Sequence, residues 1–327
     1  MRLKILLGIF PGFIIYSLLL LFWIFGESGN LVMGISYGIV SFIIGWILFK
    51  VSIHSPQSHF ENISKKTIHR ERLTITFKDK VQAPGIIYRS KQETIDTPHG
   101  PRYPNPRPTI IIFHGFWAKK EINEKFLIPW AHMGYITVAF DMRGHGTAGG
   151  QKSEWFKLYD DSIHILDYIS NLDDVKRGSI CCIGKSMGGT SVLTKCYQDE
   201  RVGMVIAISA LHDIGALLSE QTSIFSSRWF INRKMSKIRN EKALEIVPRN
   251  YIKKDAQYNK NRVYLIHGKK DNIFPPSLTF ELNKKQARIP DKHAILLEDC
   301  GHSLEDQELL LVGIMTKWIV ENKKMQF

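Results

Sequence analysis

The chain has 327 residues, 44% of them hydrophobic, with a formal net charge of +13 at pH 7. That length holds one large α/β domain plus an appendage and excludes three ordinary domains. Cys181, Cys182, Cys196 and Cys300 show no framework spacing and read as buried, reduced thiols rather than as disulfides or metal ligands. No nucleic-acid motif accompanies the positive charge, so nucleic acid is not expected as a partner. Attraction to an anionic membrane surface is the simpler account of it.

At the N-terminus two nearly uncharged apolar runs, residues 5–25 and 31–51, each have about the 20 residues that a membrane-crossing helix needs. Gly26-Glu27-Ser28-Gly29-Asn30 separates them as a tight turn. Residues 1–51 are therefore expected to form a transmembrane hairpin, its first helix kinked or shortened at Pro11. The first run is too long for a signal peptide and has no small-residue cleavage site after it. A stretch folded back within one leaflet is the alternative. Arg2 and Lys4 precede the first run and Lys50, Lys65, Lys66, Arg70 and Arg72 follow the second, while the turn carries only Glu27. The positive-inside rule then puts both flanks, and the large C-terminal part, in the cytoplasm.

Residues 52–71 are polar and basic and read as a linker, leaving residues 72–327 for the main domain. Short apolar runs at 73–77 and 85–89 suggest an antiparallel pair. The Pro- and Gly-rich stretch 98–108 reads as a loop. Beyond it, apolar runs of strand length at 109–113, 136–140, 179–183, 202–208, 263–266 and 294–297 alternate with helical patterns such as 121–133 and 155–169. That rhythm implies an α/β fold with a mostly parallel sheet covered by helices on both faces. Residues from about 211 to 261 break it and read as an inserted cap. Within the cap, Trp229, Phe230, Met235 and Ile238 interleave with six Lys or Arg residues over 227–242. This suits a lid packed over the site, with a stretch lying at a membrane surface as the alternative.

Gly184-Lys185-Ser186-Met187-Gly188 follows an apolar strand and opens a helical pattern. A serine on such a strand-to-helix turn has its hydroxyl exposed, and the flanking glycines are needed where a Cβ would meet neighbouring backbone. Serine is a poor nucleophile without a base, which is itself oriented by a carboxylate. Asp271 stands just past the 263–266 run and His302 just past the 294–297 run, both at the carboxyl edge that also carries Ser186. Asp213, past the 202–208 run, is the competing acid. Asp299 is too close to His302 in sequence to orient it easily.

These residues, with Phe113-His114-Gly115-Phe116 and Asp141-Met142-Arg143-Gly144-His145-Gly146, resemble the α/β-hydrolase superfamily from about residue 73 to 320. The resemblance implies an α/β-hydrolase fold with Ser186 as nucleophile, His302 as base and Asp271 as its orienting acid. It further implies an oxyanion hole from the backbone N–H groups of Phe116 and Met187, with His114 and His145 as scaffold. Lys185 departs from the residue usual beside the nucleophile. No metal or cofactor is implied. The expected activity is hydrolysis of carboxylic esters of acyl or lipid-like substrates. A serine-aminopeptidase-like peptidase and a catalytically silent membrane-tethered scaffold are the alternatives.

Overall fold

Strands buried on both faces dictate the architecture. The computed structural model describes residues 67–91, 96–97, 100–101, 103–219 and 245–327. Strands β1 (Ile68–Thr76) and β2 (Gln82–Ser90) pair antiparallel, with Leu73 opposite Gly85. A two-residue pair, β3 (Asp96–Thr97) with β4 (Gly100–Pro101), follows. Then come β5 (Arg107–Phe113), β6 (Ile136–Phe140), β7 (Val175–Lys185), β8 (Val202–Ile208), β9 (Val263–Gly268) and β10 (Ala294–Leu297). The main sheet runs β1-β2-β6-β5-β7-β8-β9-β10. Strand β2 meets β6 antiparallel, and every pairing from β6 to β10 is parallel.

Every residue of β5, β6, β8 and β9 is buried. Alternate side chains go to opposite faces. Ile111, Val138, Cys182, Val205 and Leu265 face α2 (Leu158–Ser170) through Ile165, Leu166 and Ile169. Ile110, Ala139, Cys181, Ile206 and Ile266 face α1 (Glu124–His132) and the C-terminal helix (Glu308–Glu321) through Trp130, Met315 and Trp318. All four cysteines are buried and free.

Two boundaries differ from expectation. Strand β1 begins at Ile68, inside the stretch read as linker, because Arg70, Glu71 and Arg72 are exposed on an edge strand whose polar face hides its periodicity. The 98–108 stretch holds half of the β3–β4 pair and the first two residues of β5. Residues 1–51, expected to form a hairpin, and most of the expected linker lie outside the described residues. So does 220–244, which contains the basic stretch 227–242. The described parts of the cap interval form short helices at Ile214–Ser219, Pro248–Tyr251 and Ala256–Asn259. Among the described residues no helix is long and apolar enough to cross a membrane.

Candidate active site

Parallel strands put their carboxyl ends on one edge, and the site is assembled there. Ser186 lies between β7 and the helix Met187–Ser191, with φ 54° and ψ −113°, a backbone conformation that side chains rarely adopt. Its N–H donates to the carbonyl of Ile208 at 2.7 Å, which ties the turn to β8. The turn has no room for side chains on its glycines. A Cβ on Gly184 would lie 2.1 Å from the Gly188 carbonyl oxygen, and one on Gly188 would lie 2.2 Å from that of Phe113.

The loop after β10 brings His302 to this serine, with Nε2 2.8 Å from Ser186 Oγ. On its other side Nδ1 lies 2.8 Å from Oδ2 of Asp271, three residues beyond β9. A carboxylate accepts only, so the imidazole proton belongs on Nδ1 and Nε2 turns a lone pair toward the serine hydroxyl. The Phe274 ring packs edge-on against His302 with centroids 4.9 Å apart, and Ser209 Oγ donates to the His302 carbonyl at 3.2 Å.

The Asp271 side chain is fully buried. Its Oδ1 accepts the backbone N–H groups of Ile273 at 2.9 Å and Phe274 at 2.8 Å. Burial alone raises the pKa of this carboxyl. Hydrogen bonds from His267 and His302, with the Phe274 N–H, outweigh it and hold the group well below the usual carboxylate range. Asp271 is therefore an anion on the imidazole's far side.

The competing acids are engaged elsewhere. Asp213 takes the Gly215 N–H at 2.8 Å and Arg249 Nη1 at 2.5 Å. Asp299 is exposed and paired with Lys270 at 2.8 Å.

Met187 is the first residue of its helix, so its N–H belongs to those a helix end leaves unpaired. The loop carrying Phe116 runs beside the Ser186 turn: a Cβ on Gly115 would stand 3.3 Å from the Lys185 carbonyl oxygen and 3.4 Å from Ser186 Cβ. That loop is pinned from below, because Asp141 accepts Lys120 Nζ at 2.6 Å, the Lys120 N–H at 2.8 Å and the Thr147 N–H at 2.9 Å. His114 and His145 are buried scaffold: His114 Nε2 accepts the Met142 N–H at 2.9 Å, and His145 Nδ1 donates to the Arg143 carbonyl at 2.8 Å. Arg143 reaches both Asp161 and Asp79 at 2.7 Å.

Sequence reasoning missed His267. It is buried at the end of β9, and its Nε2 lies 3.1 Å from the same Asp271 oxygen that meets His302. The only signal was a histidine four residues before the acid. Among the described residues no group of His, Cys, Asp or Glu is arranged to hold a metal ion.

The family described as serine aminopeptidase, S33, matches residues 104–253. The chain is 26% identical over 142 residues to an uncharacterized 31.7 kDa protein from the traX-finO intergenic region of Escherichia coli; the match covers 41% of this chain and about half (49%) of that relative. It is 22% identical over 261 residues to the mitochondrial palmitoyl-protein thioesterase ABHD10 of Rattus norvegicus, covering 72% of this chain and 79% of the relative. Among solved structures, the acetyl xylan esterase from Paenibacillus sp. R4 aligns with a TM-score of 0.55 at 17% identity, over 80% of this chain and 86% of that one. Est1E from Butyrivibrio proteoclasticus, with ferulic acid bound, aligns with a TM-score of 0.54 at 18% identity, over 76% and 98%. At those identities the likeness speaks for the fold. With this sheet, the Ser186 turn at the end of β7 and these matches, the chain belongs to the α/β-hydrolase superfamily.

Proposed function

We propose that the protein is a membrane-anchored esterase that cleaves carboxylic esters of acyl or lipid-like substrates through a Ser186 acyl-enzyme. The observation that carries this reading is the unbroken line from Ser186 Oγ to His302 to Asp271, with both links at 2.8 Å. Ser186 Oγ attacks the ester carbonyl carbon while its proton passes to His302 Nε2. The ionised Asp271 stabilises the imidazolium so formed. The N–H groups of Phe116 and Met187 receive the negative charge that develops on the carbonyl oxygen. His302 then returns the proton to the departing alkoxide; in the second half it takes one from the water that attacks the acyl-enzyme and gives it to Ser186 Oγ as the acid leaves.

Two sequence features support membrane anchoring: the apolar runs at 5–25 and 31–51, and the cations at their outer flanks, which the positive-inside rule would put in the cytoplasm. With Cys placed at Ser28 or Ser55, a membrane-impermeant thiol reagent should reach position 28 from outside and position 55 only after lysis. Position 55 labelled from outside would reverse the topology. An acyl substrate is supported by the thioesterase relative and by the apolar and basic residues of 227–242. The peptidase reading has the serine aminopeptidase match on its side.

A fluorophosphonate probe should label the wild type and spare Ser186→Ala. Persistent labelling of that variant at another residue overturns the assignment. Medium-chain acyl esters and aminoacyl amides offered side by side separate esterase from peptidase, and a probe-inert protein that turns over neither is the silent scaffold.

A further inference from the structure

We propose that Lys185 is a positioning residue: its ammonium group holds the loop that carries His302 against the turn that carries Ser186. The proposal rests on the Ser186–His302 reading above. Lys185 is the last residue of β7, and its Nζ donates to the main-chain carbonyl of Ser303. The residue before the serine is thus bonded to the residue after the histidine, across 118 positions of sequence.

The loop needs such an anchor. Between β10 and the C-terminal helix, Leu304 and Asp306 sit at φ 48° and 61°, conformations that cost non-glycine residues energy and persist only where their surroundings impose them. The Leu304 side chain is buried and Ser209 reaches the His302 carbonyl, but Lys185 supplies the charge-assisted bond, roughly twice as strong as a neutral one. Because that bond engages a main-chain carbonyl, the amine acts on chemistry through His302 rather than on substrate.

The anchor is also titratable. Lys185 feels Lys125 from α1, Glu305 from the loop, Glu308 from the C-terminal helix, and Asp271. Lys125 and Glu308 are themselves paired at 2.9 Å. Burial first, and then Lys125, push the Lys185 pKa down to about 8, against the pull of the three carboxylates. Above that pH the amine keeps a donor but loses its charge, and the Ser303 bond weakens.

The test is hydrolysis of a small soluble ester, p-nitrophenyl butyrate, by the full chain and by Lys185→Arg, Lys185→Gln and Lys185→Met across neutral and alkaline pH. A misplacement on the order of 1 Å costs about 100-fold, so kcat of Lys185→Met should fall by about 10- to 100-fold with KM little changed. Lys185→Arg, which keeps donor and charge, should recover most of it. Wild-type kcat should decline as pH rises through about 8. Lys185→Arg should show no such decline, and Lys185→Gln should be low and flat. Fluorophosphonate labelling of Ser186 should slow in parallel with kcat while the melting temperature stays near that of the wild type. If Lys185→Met does not fold, the Arg and Gln variants carry the comparison. An active wild type whose Met and Gln variants keep its kcat and its alkaline profile overturns the role of Lys185. A wild type that neither labels nor hydrolyses overturns the hydrolase reading itself, and this inference with it.

Discussion

His267 and His302 converge on one atom, Oδ2 of Asp271, the first through Nε2 at 3.1 Å and the second through Nδ1 at 2.8 Å. His267 Nε2 also donates to the Phe274 carbonyl at 2.8 Å, and the Phe274 N–H returns to Asp271 Oδ1 at 2.8 Å. The buried carboxylate is thus closed into a ring by its own downstream loop, and the Phe274 ring leans on His302. One short segment therefore fixes the orientation of Asp271 and one wall beside His302.

Removing His267 should weaken the site without dismantling it. A hydrogen bond to a charged group is worth about 1.5–3 kcal/mol, so kcat of His267→Leu is expected to drop by about tenfold or somewhat more. His267→Gln offers an amide donor and should recover part of that. The acid limb of the pH–rate profile should move upward in the Leu variant, because Asp271 loses a donor that favours its anion. An unchanged kcat and limb would show that the backbone N–H groups of Ile273 and Phe274 suffice.

Asp271→Asn should cost about four orders of magnitude in kcat, since the amide presents the wrong partner to Nδ1 of His302. Asp213→Asn should cost far less, because Asp213 serves Arg249 and the Gly215 N–H. Steady-state rates of the two variants on one ester decide the matter, and the reverse order of losses would move the acid one strand earlier.

The Ser186 turn makes an equally sharp claim on stability. A methyl group on Gly188 meets the Phe113 carbonyl oxygen at 2.2 Å and that of His114 at 2.8 Å, both fixed backbone atoms. Gly188→Ala is expected to cost about 3 kcal/mol or more, or to prevent folding. Gly313, in the C-terminal helix, has nothing within 4 Å of its would-be Cβ, so Gly313→Ala should stabilise by up to about 1 kcal/mol. Urea unfolding of both reports the contrast. A neutral Gly188→Ala would mean that β5 and β7 can part.

The sequence made the central strands legible because a parallel strand covered on both faces is apolar at every position, as 136–140 and 202–208 are. Ser186, Asp271 and His302 each stand just past an apolar run, and the structure brings those three run ends together. The sequence hid the first half of β1, whose charged residues face solvent at the sheet edge, and the β3–β4 pair, whose strands of two residues each are too short to show a period. It also hid contacts made across long stretches of chain. Nothing near residue 185 says that its amine ends at residue 303, and His267 looks like part of a strand until Asp271 folds back on it.

The last prediction concerns acid sensitivity, and it comes from the scaffold. His114 is buried with Nδ1 donating to the Gly115 carbonyl at 2.8 Å and Nε2 accepting the Met142 N–H at 2.9 Å. A second proton on this ring would face a donor. Burial, the dominant cause, lowers its pKa from 6.5 to about 4. The unfolded chain therefore binds a proton at this position between those two values while the folded chain does not, so stability falls as pH falls through that window. At about 1.4 kcal/mol per pKa unit, His114 alone accounts for a loss of about 3 kcal/mol by pH 4. His145, His212 and His293 are shifted the same way, again first by burial. Urea unfolding at a series of pH values should show the decline, and His114→Gln, which keeps an acceptor for Met142 but does not titrate, should flatten it by about that amount. A variant whose decline matched that of the wild type would assign the acid sensitivity to the other buried histidines and return His114 to a purely steric role.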